Sequence, residues 1–86
     1  MQSYLAMIRS LETGSFLVEY PDLPGCAATA RSFQDARRLA TALLSDHIRE
    51  LLAQGVAPPP PRTMRELQDT GATLGAFPTL IPVLGV

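Results

Sequence analysis

The chain has 86 residues, 47% of them apolar and 17% charged, with a net charge of −1. That is too apolar for a disordered segment, and it is short enough for one domain spanning 1–86. Seven Arg and no Lys oppose eight acidic residues, so the basic excess of a nucleic-acid binder is absent.

Ser3 to Leu11 reads as a strand, low in polarity and free of breakers. Gly14 in Glu12-Thr13-Gly14-Ser15 supplies the positive φ of a tight hairpin, and Phe16 to Tyr20 is the return strand. Pro21 and Pro24 then stop pairing, because proline lacks a backbone donor and restricts the residue before it. Cys26 to Ala30 is a short third strand.

Ser32 is a good helix N-cap, with Asp35 three places on, where a negative charge suits the helix start. Phe33, Ala36, Leu39, Ala40, Leu43, Leu44, His47, Ile48, Leu51 and Leu52 follow the three-and-four spacing of one helical face. Gly55 stops the helix. Pro58 to Pro61 forms a stiff extended spacer. Thr63 and Glu66 have capping-box spacing, which predicts a short helix from Met64 to about Asp69, ended by Gly71.

Ala76 to Leu84 reads as the last strand. Pro78 and Pro82 share parity, so their missing donors lie along one edge, while Thr79, Ile81 and Val83 keep theirs on the other. This predicts an edge strand that pairs on one side only. The expected fold is α+β. It is a three-stranded antiparallel meander, a long crossover helix, a short helix and a final strand parallel to the first, in sheet order 3-2-1-4.

Alternation along the strands places Tyr4, Ala6, Ile8, Phe16, Val18, Tyr20, Phe77, Ile81 and Val83 toward the long helix. The other face then carries Leu5, Met7, Leu17, Leu80 and Leu84. Two fates are open to that face. The short helix or tail folds over it, or it is an oligomer or partner surface, since small domains bury only ~60–65% of their unfolded area and gain from association.

Chemistry is sparse. His47 is the only histidine and has no ligand partners at metal spacing, which fits a core histidine. Cys26 is a lone thiol without a base and a third group, and it gives no sign of an oxidising compartment. Glu12, Glu19 and Asp22 are too few for a two-metal nuclease site. No catalytic residue, metal or cofactor is expected. No run of about 18 apolar residues and no secretory leader is present, so the expected location is the cytoplasm.

Tyr20-Pro21-Asp22-Leu23-Pro24-Gly25-Cys26 after an apolar strand resembles the signature of the HicB-like antitoxins. The likeness continues through Ser32-Phe33-Gln34-Asp35-Ala36, Ala40, Gly55-Val56-Ala57-Pro58 and the closing Ile81-Pro82-Val83. The resemblance implies a partial RNase H-like fold and a bacterial protein that binds and blocks HicA, a small basic endoribonuclease. Many members add a C-terminal DNA-binding domain. The sequence ends at Val86, so neither that domain nor autonomous operator binding is expected. Ala30-Arg31 stands where the family commonly has a glycine before the helix cap, so that turn should differ. The implied partners are a HicA-like toxin and further copies of the chain, as a dimer or tetramer. The alternatives are a stand-alone homo-oligomeric interaction domain without a toxin and, more remotely, an RNase H-like metal-dependent nuclease.

Overall fold

The structure, a computed structural model, describes residues 2–84. Met1, Gly85 and Val86, at the ends of the expected 1–86 domain, lie outside the described residues. The chain runs β1 (Ser3–Ser10), β2 (Phe16–Glu19), β3 (Ala27–Ala30), α1 (Phe33–Ala53), α2 (Met64–Asp69) and β4 (Phe77–Pro82). The four strands form one sheet in the order β3-β2-β1-β4, as expected.

Turns set the ends of β1 and β2 and the start of β4. The Leu11 N–H donates to Ser15 O and the Gly14 N–H to Leu11 O, with Gly14 at φ 88°. The Tyr20 carbonyl accepts from Leu23 N–H, which closes β2 at Glu19. The Ala76 N–H donates to Thr73 O, so β4 begins at Phe77.

α1 is capped by the Ser32 hydroxyl, which accepts from the Asp35 N–H. Ala36, Ala40, Leu44 and Ile48 are buried against Tyr4, Ala6, Ile8, Val18, Tyr20 and Ile81, the face that alternation assigns to the helix. Leu52 departs from the expected stripe and is half exposed. The helix has run past the sheet there, since Ser45 already bonds the Leu84 carbonyl beyond the end of β4. Both helices end alike. The N–H groups of Val56 and Ala72 reach back to the Leu51 and Leu67 carbonyls around Gly55 and Gly71, both at positive φ. α2 carries the full Thr63–Glu66 capping box.

One expectation fails. β4 runs antiparallel to β1, not parallel, pairing Ile8 with Phe77 and Ser3 with Pro82. The reason is the number of passes along the sheet. α1 makes one, from the Phe16 end of β2 toward the Tyr20 end, marked by Phe33 on Phe16 and by the Tyr20 hydroxyl on Ala40 O. The segment after it makes a second pass back. Pro59 lies by Tyr4 near the start of β1, and Ala72 and Leu74 lie by Arg9 near its end. β4 therefore starts beside the end of β1 and must descend. A parallel β4 would need one pass only.

The later part of the returning arm, at Ala72 and Leu74, lies on the face away from α1, because Arg9, which binds it, alternates with the α1-facing Ile8. Met7 and Leu67 are fully buried, yet both stand outside the cluster under α1.

Candidate partner interface

The segment Tyr20 to Cys26 is a compact turn closed by its own backbone. Tyr20 N–H donates to Cys26 O, Leu23 N–H to Tyr20 O and Cys26 N–H to Leu23 O. Gly25 sits at φ 84°, where a β-carbon would be strained. Tyr20, Leu23 and Cys26 point into the core, and only Pro24 and Gly25 are exposed. The Tyr20 hydroxyl donates to Ala40 O at 2.6 Å. Burial, and then the neighbouring Cys26, hold the Tyr20 phenol well above its usual range. Burial pushes the Cys26 thiol up to about 11, so it is a weak nucleophile at neutral pH.

Asp22 gives this loop its purpose. Its carboxylate is buried and accepts from the Arg62 backbone N–H at 2.9 Å and from Arg62 Nε at 2.5 Å. Arg62 Nη2 also donates to Pro21 O. The motif loop is thus the dock for the start of the returning arm. Two further latches hold the arm. The Tyr4 hydroxyl donates to Pro59 O at 2.5 Å, and the Arg9 guanidinium donates to the Ala72 and Leu74 carbonyls while pairing with Glu19 at 2.8 Å. Arg9 and Arg62 carry no signal at sequence level, because each latches a segment 40 or more positions away.

The three acidic residues that a nuclease would need do not converge. Glu19 is bound to Arg9, Asp22 is bound to Arg62, and Glu12 lies in the hairpin beyond the far end of β2. Among the described residues no cluster of His, Cys, Asp and Glu could hold a metal, and His47 is only half buried. No described helix is long and apolar enough to cross a membrane.

The apolar set on the second face divides in two. Met7 is fully buried and unavailable to a partner. Leu5 and Leu17 are part-buried, while Leu80 is 63% exposed and Leu84 46% exposed. Leu5 stands directly opposite Leu80 in the β1–β4 register, and Leu17 lies opposite Arg9 on β1. The sequence reading missed Leu74 and Phe77, which are also largely exposed and flank the start of β4. Alternation puts Phe77 on the α1 side. It does pack edge-on against Phe33 at 5.2 Å, but an edge strand leaves its outer side open.

Chains of known structure share this fold. The N-terminal domain of the Burkholderia pseudomallei antitoxin HicB aligns at 20% identity with a TM-score of 0.82, over 95% of this chain and 98% of that one. The longer B. pseudomallei antitoxin HicB aligns at 21% with the same TM-score, and this chain covers 64% of its length. A chain of the HicA3 and HicB3 toxin–antitoxin complex aligns at 23% identity with a TM-score of 0.77, over 98% of this chain and all of that one. No curated protein sequence gives a significant match. The sequence pattern of the HicB-like antitoxins of bacterial toxin–antitoxin systems matches residues 4–84, nearly the whole chain, and this protein belongs to that family.

Proposed function

We propose that this chain is the antitoxin of a toxin–antitoxin pair and neutralises a small basic HicA-type endoribonuclease by binding it directly. The observation that carries this reading is the family match over residues 4–84, joined to the likeness to a chain of a HicA3–HicB3 complex. The rest of the molecule fits a binding role. Its buried carboxylate Asp22 serves as a latch, its thiol is buried, and its acidic pI of about 5.6 suits a basic partner. Expression of the HicA-type toxin encoded in the same operon should arrest growth, and co-expression of this chain should restore it. Growth arrest that persists with the chain in excess overturns the reading.

The exposed Leu80, Leu84, Leu74 and Phe77 favour a second reading, self-association along the β4 side as a dimer or tetramer. The contact would be made by side chains, since Pro78 and Pro82 remove donors from the outer edge. Sedimentation equilibrium should then show an oligomer that Leu80→Glu dissociates; a monomeric wild type removes the idea.

A further inference from the structure

The outward face of α1 carries a charge pattern that is its own complement. Asp35, Arg38, Ala42, Asp46 and Arg49 follow one another at three, four, four and three residues, so they form one stripe along the helix. All five are exposed, on the side turned away from the buried Ala36, Ala40, Leu44 and Ile48. About Ala42 the stripe is symmetric in position and opposite in sign. Asp35 and Arg49 stand seven residues to either side of it, and Arg38 and Asp46 stand four. An antiparallel copy of the helix, related by a two-fold axis at Ala42, sets Arg38 against Asp46 and Asp35 against Arg49, each pair twice over. Ala42 has only a methyl group at the crossing, so the helix axes can approach to about 8 Å.

These charges are not used up within the chain. Arg38 lies 3.8 Å from Asp35, and Arg49 lies 3.3 Å from Asp46, yet all four side chains stay more than half exposed. A guanidinium and a carboxylate each have room for further partners. The stripe holds two charges of each sign, so neither a basic nor an acidic partner gains along its whole length. A second copy of this chain does.

Apolar surface lies beside the stripe, on the flank toward β4. Ser45 binds the Leu84 carbonyl and marks that flank, and Leu52, seven residues on, is half exposed there. The same flank holds a groove lined by Gln34, Arg37, Arg38 and Thr41, with Ile81 of β4 beside them. A two-fold axis of this kind brings like flanks together. Leu52 stands ten residues after Ala42 and Gln34 stands eight before it. At a rise of about 1.5 Å per residue, Leu52 of one copy falls within about 3 Å of the Gln34 end of the other copy's groove.

We propose that the α1 face centred on Ala42 joins two copies of this chain as an antiparallel helix pair, with Leu52 of each copy set against the groove of the other. This surface is separate from the one around Leu80, and the proposal does not rest on the antitoxin reading.

The test is sedimentation equilibrium on the full chain, beside oxidative cross-linking. Ala42→Cys sets two thiols across the axis and should give a disulfide-linked dimer under mild oxidation, whereas Ala53→Cys, exposed on the same helix but far from the axis, should not. Arg38→Glu sets carboxylates against each other and should weaken the dimer about tenfold, with circular dichroism unchanged. Combining Arg38→Glu with Asp46→Arg restores opposite signs across the axis and should recover it. Leu80→Glu should leave the Ala42→Cys cross-link in place. A monomeric wild type overturns the proposal. A dimer that Arg38→Glu leaves unchanged, that the exchanged pair fails to recover, or that Ala42→Cys does not cross-link is joined elsewhere and also overturns it.

Discussion

The two faces of the sheet are closed by different physics. Under α1, twelve buried residues form one apolar cluster, and the aromatic rings of Phe16, Phe33 and Phe77 seal its upper end. Burial there scales with area, tolerates small shifts and repeats along every element. The returning arm buries Leu67 and otherwise holds by three polar latches, Arg9 on the face away from α1, Asp22 in the motif loop and the hydroxyl of the core residue Tyr4. Such contacts are specific, few and dependent on one partner each. The first face therefore sets global stability, and the second sets where the arm lies and hence which way β4 runs.

Mutations should separate the two. Leu44→Ala removes a fully buried side chain from the α1 face and should cost about 2–5 kcal/mol, lowering the melting temperature of the whole molecule in one transition. Arg62→Ala removes the guanidinium and leaves the buried Asp22 carboxylate with only the backbone N–H at position 62, and should cost about 1.5–3 kcal/mol. Its signature is local, with faster proteolysis and amide exchange in Pro58 to Ala76 before β1 to β3 respond. A single global transition in Arg62→Ala, with no early exposure of the arm, would break the comparison.

Alkaline pH sharpens it further. Tyr20 and Cys26 both ionise at higher pH folded than unfolded. The unfolded chain therefore loses these protons first, and the stability they confer is complete below about pH 9 and falls as pH rises from there through the folded values. Melting temperature should drop from pH 9 upward, and Cys26→Ala should delay the onset. A flat profile from pH 8 to 11 contradicts the burial assigned to the α1 face. The smallest effect concerns Thr79, whose buried hydroxyl finds no hydrogen-bond partner among the described residues. Thr79→Val should be neutral or stabilise by about 1 kcal/mol in chemical denaturation.

The same contrast explains what could be read from the sequence. Hydrophobic period and capping chemistry act over a few residues, so β1 to β3, α1, the Thr63 cap and the one-sided pairing of β4 are legible. The partition of the α1 face is legible too, because strand alternation needs no tertiary knowledge. Arg62 on Asp22 and Arg9 on Ala72 are contacts between distant segments, and nothing local announces them. Without them the route of the arm is open, and the simpler single crossover gives the wrong direction for β4. The second face suffers in the same way: Met7 looks available in the sequence and is covered in the structure.

The most direct test of the antitoxin reading is an RNA-cleavage titration with purified same-operon toxin and increasing amounts of this chain. Cleavage should fall to background once the chain matches the toxin in concentration, and it should recover when the complex is dissociated. Undiminished cleavage at a large excess of folded chain would contradict the account.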